Sequence, residues 1–206
     1  VALAANTTAN NNLAIGYNTL TSNTTGSENV AVGNYALDAN TDAANNTAVG
    51  YNALGANTTA SNNTAIGAYS LDANTTGTQN VALGQGALGA NTTGNTNTAV
   101  GNYALDANTV GDRNVAVGYN ALTAYNPDSN EDSYNTAVGY AALEDNTTGN
   151  QNTAIGGIAL LNNTTGIRNT AIGYSPLYTN TTGDSNTAVG LLALYSNTTA
   201  DNNIAI

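Results

Sequence analysis

The side chains able to do chemistry are few in this 206-residue chain. It holds thirteen Asp and Glu, two Arg (Arg113 and Arg168), and no His, Cys, Met, Trp, Phe or Lys. Without His or Cys there is no conventional Ser-His arrangement, no thiol nucleophile and no His or Cys metal site. Carboxylates alone could still serve glycoside hydrolysis as a pair, or hold a hard cation such as Ca²⁺. The one place where they gather in sequence is the segment from Pro127 to Asp132, which carries Asp128, Glu131 and Asp132. Their spacing matches no complete calcium loop, so an exposed acidic turn, or a contact loop for a partner, is the competing reading. No catalytic residue and no cofactor is assigned, and the expectation is a protein that is not an enzyme.

The charge balance narrows the partners. Charged residues are 7% of the chain and the net charge is −11, against roughly 25% charged in ordinary soluble domains. No basic stripe is available to neutralise phosphates or anionic lipid, which argues against nucleic-acid binding and against membrane contact by this segment. No apolar run approaches the ~20 residues of a membrane-spanning helix.

The elements that must position these residues come from a repeat, because the segment Asn-x-Ala-(Ile/Val/Leu)-Gly recurs along the whole chain. Its glycines, from Gly16 to Gly190, fall 17 residues apart, except that Gly118 and Gly139 are 21 apart. Each glycine anchors a numbering of its unit, in which negative positions precede it and positive positions follow. Asn stands at position −4 and Ala at −2 in every unit, and Leu stands at +4. The units are cut at both ends and no capping unit with a polar outer face is present, so residues 1–206 are expected to be one repeat array within a longer fibre. Four extra residues enlarge the turn at 123–134.

Seventeen residues are too few for a helix-turn-helix unit, which takes ~34, and suit one coil of an all-β, parallel β-solenoid. About twelve such coils, each with two short strands and two bends, spaced ~4.7–4.8 Å apart, make a rod on the order of 55 Å long. Strand alternation puts Ala on one face and its neighbours on the other. The expected interior is the Leu column (Leu20, Leu37, Leu54, Leu71, Leu88, Leu105, Leu122) with the Ala column (Ala65, Ala82, Ala99).

The Asn column (Asn46, Asn63, Asn80, Asn97, Asn114) predicts a ladder of amides along the rod axis, and a second column (Asn57, Asn74, Asn91) predicts another. The plainer reading is that Asn suits turns. Asn-Thr-Thr is also a glycosylation acceptor pattern, as at Asn23, Asn57 and Asn146. At +10 most units have Gly, but four have Ala, and those four carry Asn at +12. This exchange predicts one positive-φ residue per turn, moved by two positions between units.

A second apolar column occupies position −1: Val49, Ile66, Leu83, Val100, Val117, Val138, Ile155, Ile172 and Val189. Facing away from the Ala side, it would be an exposed stripe, which association with identical stripes in an oligomer would cover. The alternative is a wider coil with this stripe, rather than Ala, as its core. Tyr falls at +1 (Tyr17, Tyr51, Tyr119, Tyr140, Tyr174) or +2 (Tyr35, Tyr69, Tyr103), where it could contact a ligand or simply cover a bend.

Runs such as Asn63-Thr64-Ala65-Ile66-Gly67 and Asn169-Thr170-Ala171-Ile172-Gly173-Tyr174 resemble the head repeats of trimeric autotransporter adhesins. The Asn-Thr-Thr-Gly of 146–149 is similar to repeats of bacterial and phage tail-fibre-like proteins that carry a C-terminal self-cleaving chaperone. The unit here is longer than the adhesin coil, and Thr often replaces the apolar residue at −3. The resemblance implies a homotrimer of parallel, left-handed β-rolls with the stripe turned to the three-fold axis. It implies an extracellular fibre, on a cell surface or as a virion appendage, that attaches to a host surface or matrix ligand. A self-assembling extracellular filament or sheath is the alternative. An ice-binding solenoid is a further one, although the adjacent Thr7-Thr8 and Thr58-Thr59 are expected in turns, not on one flat face.

Overall fold

The computed structural model describes residues 1–129 and 132–206. Glu131, one of the three acidic candidates of the long turn, therefore lies outside the described residues. The strands are β1 (Leu13–Ile15), β2 (Val30–Val32), β3 (Thr47–Val49), β4 (Thr64–Ile66), β5 (Val81–Leu83), β6 (Thr98–Val100), β7 (Val115–Val117), β8 (Thr136–Val138), β9 (Thr153–Ile155), β10 (Thr170–Ile172), β11 (Thr187–Val189) and β12 (Ile204–Ala205). They form one parallel sheet in sequence order. Each residue pairs with its equivalent one coil on, as in Ala48↔Ala65 and Ala65↔Ala82. The fold is an all-β parallel β-solenoid with no helix among the described residues.

Each coil holds one strand where two were expected. The far side of the coil is a chain of tight turns, and the cause is its backbone. Leu at +4 adopts φ of 49–55° in all twelve units, and the residue at +2 is also left-handed, as at Tyr35 (62°), Asn52 (56°) and Tyr69 (58°). A left-handed L-residue costs roughly 1–2 kcal/mol. Burial of the leucine side chain, at about 1.5–3 kcal/mol, offsets that. β-branched residues tolerate this region least, and the Leu column holds none, although Thr96 and Ile158 are left-handed elsewhere. The turns remain hydrogen-bonded from coil to coil: the N–H of Leu54 donates to the Ser70 carbonyl at 3.1 Å, and that of Leu71 to the Ala87 carbonyl at 3.0 Å.

The interior is narrow. Leu20, Leu37, Leu54, Leu71, Leu88, Leu105 and Leu122 are fully buried, as are Ala65, Ala82 and Ala99. Ala, not the −1 stripe, is therefore the strand's contribution to the core. A third buried column went unread in the sequence: position +3, with Ala36, Ala53, Ala87, Ala104 and Ala121. The glycine that ends each strand is required twice over. Gly67 has φ of 137°, and a Cβ there would lie 2.4 Å from the Gly84 carbonyl oxygen of the next coil.

Both Asn columns are buried and hydrogen-bonded, in different ways. The −4 column joins side chain to backbone. Asn46 Oδ1 accepts from the Asn63 N–H at 2.9 Å, while Asn63 Nδ2 donates to the Gly77 carbonyl at 2.9 Å. The +7 column is a true amide ladder: Asn57 Nδ2 donates to Asn40 Oδ1 (3.1 Å), Asn74 to Asn57 (3.1 Å) and Asn91 to Asn74 (2.9 Å). The positive-φ exchange is corrected. Position +12 is left-handed in every 17-residue unit, whether it is Asn45 (61°), Gln79 (60°) or Arg168 (57°), and the glycines at +10 are not left-handed. At Gly77 a Cβ would sit 2.3 Å from the Gly94 carbonyl oxygen, whereas the units with Ala43 and Ala60 accommodate a buried Cβ at the same position.

Candidate functional site

Three surfaces remain once the interior is accounted for. The first is the outer face of the sheet. The strand residues flanking the buried Ala point outward, and all of the −1 stripe is exposed or half-buried. In the middle of the rod Ile66 is 38% exposed, Leu83 43%, Ile155 39% and Ile172 38%. Position −3 shares this face as Thr47, Thr64, Thr98, Thr136, Thr153, Thr170 and Thr187, alternating with Val30, Val81 and Val115. The result is an in-register face with an aliphatic column beside a largely Thr column.

The second surface is the long turn. The regular path holds through Asn126, whose N–H donates to the Thr147 carbonyl at 2.9 Å. It resumes at Asp132, which bridges to Asp112. Asp132 forms an ion pair with Arg113 and accepts from the Tyr134 hydroxyl at 3.0 Å, with the Arg113 guanidinium 5.9 Å from the Tyr134 ring centre. The Asp132 carboxylate is thus already neutralised within the chain. Among the described residues no three acidic side chains come together as a metal site. Tyr125, at +7, takes the place of an Asn of the amide ladder. It is fully buried, and its hydroxyl donates to Asn150 Oδ1 at 2.6 Å.

The third surface is the tyrosine edge, where positions +1 and +2 of successive coils lie side by side. Tyr17, Tyr35, Tyr51 and Tyr69 form a continuous row of edge-on contacts with centroids 5.7, 5.8 and 5.2 Å apart. A second row runs Tyr103–Tyr119–Tyr140 at 6.4 and 5.8 Å. Between the rows the coil carries Gln85 and Gly86 in place of Tyr. The missing ring leaves an open cleft of about 480 Å³ lined by Tyr69, Tyr103, Asp72, Asp106, Gly86 and Gly89. Burial pushes the carboxyls of Asp72 and Asp106 above the ordinary aspartate value, and for Asp106 the negative charge of Asp72 adds to it.

Sequence reasoning placed the acidic cluster in the long turn and missed this pair, because Asp72 and Asp106 are two units apart in the chain. The available signal was a coincidence of columns. Position +5 reads Asp72, Gly89, Asp106 while position +2 reads Tyr69, Gly86, Tyr103. The Asn-Thr-Thr asparagines face inward: Asn23, Asn57, Asn74, Asn91, Asn146, Asn163 and Asn180 are fully buried. In the folded rod those amides are ladder members, not sugar acceptors. The adjacent Thr58 and Thr59 lie in turns, and the Thr75 hydroxyl donates to the Thr92 carbonyl at 3.0 Å.

No family model, no curated protein and no solved structure matches the chain.

Proposed function

We propose that this chain is a non-catalytic structural and adhesive segment of an extracellular fibre, built as a homotrimer whose three rods meet along the −1 stripe. The observation that carries this reading is the continuity of the half-exposed aliphatic column from Val49 through Val189. A rod of ~4.7–4.8 Å repeat finds a match for such a column along its full length only in a rod of the same repeat. The cheapest such partner is another copy of itself. The resemblance of Asn-Thr-Ala-Ile-Gly to adhesin-head and tail-fibre repeats supports a surface or virion appendage, with a host-surface or matrix ligand. The test is the mass of the purified chain by sedimentation equilibrium. Three chains per particle are expected, falling to one in V100D/V117D; a wild-type monomer overturns the reading.

A self-assembling extracellular filament would use the same face with more copies, and the same measurement separates it by particle length. Ice binding is favoured by one observation, the in-register Thr-plus-aliphatic face of β3, β4 and β6. That face cannot serve both purposes, so a monomer with measurable thermal hysteresis would replace the fibre reading.

A further inference from the structure

We propose that the cleft between Tyr69 and Tyr103 is a binding site for an alkylammonium group, held by Asp72 and Asp106 and walled by the two tyrosine rings. The site is made by an omission. A side-chain carbon added at Gly89 would lie 2.7 Å from Asp106 Oδ1 and 3.6 Å from Asp72 Oδ1, so both carboxylates converge above that glycine. A side-chain carbon added at Gly86 would lie 2.9 Å from the Tyr103 ring, so the ring leans over the same vacancy.

At two coils the acid at +5 receives an amide from an Asn at +2 of the preceding coil, once within the cleft itself. Asn52 Nδ2 donates to Asp72 Oδ2 at 3.4 Å, and Asn120 Nδ2 donates to Glu144 Oε1 at 2.8 Å. For Asp106 that preceding position is Gly86, which has no side chain to give. The cleft thus offers two converging carboxylates, one of them without the side-chain amide that Asp72 receives, between two aromatic faces.

That combination selects the ligand class. Two like charges facing one another favour a cation between them. The chain's own cations, Arg113 and Arg168, do not line the cleft. A hard metal ion takes six or more oxygen ligands, and two carboxylates beside tyrosine rings supply few. An ammonium N–H satisfies the carboxylates, while the adjoining methylenes and the positive charge lie against the ring faces. Burial pushes both carboxyls up, the charge of Asp72 adds to this at Asp106, and a cation between them favours their ionised forms. The same chemistry is carried by a lysine side chain and by a free aliphatic diamine.

The test uses the whole chain, with the Tyr69 and Tyr103 ring signals followed by NMR during titration with butylammonium chloride at constant ionic strength. Saturable shifts of these two rings are expected, with none from equivalent sodium chloride. Asp106→Asn should weaken binding by about tenfold, the effect of losing one charged hydrogen bond. The double variant Q85Y/G86N copies the native Tyr51-Asn52 pair, and Asn52 holds the same left-handed backbone (φ 56°) as Gly86 (φ 64°). It should still unfold in one cooperative melting transition, with the Tyr103 ring displaced, and abolish binding. Titrations with 1,4-diaminobutane and with Nα-acetyl-lysinamide then assign the source, the tighter of the two naming a free diamine or a lysine side chain. No saturable shift, an equal response to sodium, or full binding in Q85Y/G86N overturns the proposal.

Discussion

The regular coils and the coil between Gly118 and Gly139 differ by four residues, and the structure divides cleanly into what ignores that difference and what yields to it. The strand and interior columns pass through unchanged. Ala116 pairs with Ala137 in the parallel sheet, Leu122 and Leu143 are both buried, and Asn135 N–H still reaches Asn114 Oδ1 at 3.2 Å. The +7 amide ladder does not pass through. It ends at Asn108, whose Oδ1 turns to the Gly111 N–H at 3.0 Å, and it restarts above Tyr125, where Asn163 donates to Asn146 Oδ1 at 2.8 Å. The lesson is that the rod depends on strand register and core volume. A ladder of amides can be broken once if a side chain large enough to fill the space brings its own hydrogen bond.

The sharpest way to break the comparison is to strike what both regions share. Gly101→Val should be the most damaging change. The position has φ of 134°, and a Cβ there would lie 2.3 Å from the Gly118 carbonyl oxygen. Losses above about 4 kcal/mol are expected by denaturant unfolding, of the kind reserved for backbone clashes. Gly118→Val, beside the insertion, should be as severe, because the next coil approaches it equally closely (2.3 Å).

A smaller effect separates the two regions. Tyr125→Ala removes a fully buried ring and should cost about 3–5 kcal/mol, whereas Asn74→Ala in a regular coil should cost about 1–3 kcal/mol for the ladder partners left unsatisfied. Equal losses at the two sites would mean that Tyr125 substitutes for an amide and not for volume.

The smallest effect is in the pH dependence of the tyrosine edge. The carboxyls of Asp72 and Asp106 are raised above 3.8 in the folded chain, so the folded state binds protons more readily than the unfolded one. Their charge therefore opposes folding near neutral pH. The penalty is relieved as pH falls through the raised values, and fully so below the unfolded value. Asp106→Asn should raise the midpoint of thermal unfolding at neutral pH and should leave it nearly unchanged at pH below 3.8, where wild type is already protonated.

Much of the fold was legible in the sequence because a repeat is its own alignment. Columns that vary little or not at all within one chain gave the coil length, the parallel register, the Ala and Leu interior, both Asn columns and the single break in frame. The second strand was misread because the left-handed backbone at Leu leaves no mark in composition. Leu is an unremarkable core residue, and nothing in its identity signals the φ near 52° that it adopts in the fold. The positive-φ residue at +12 was obscured for the same reason, since Gln, Arg and Ser occupy it beside Asn.

The cleft lay further still from view. Tyr69, Asp72, Tyr103 and Asp106 span two units, and their meeting depends on Gly86 and Gly89, where side chains are missing. Sequence alone determined that this chain is a stack of identical coils with one apolar column inside and another outside, because periodicity and strand alternation follow from covalent geometry. Only the tertiary structure decided which groups meet across coils, because a 17-residue period brings distant positions within a few ångströms and turns an absent side chain into a space with defined walls.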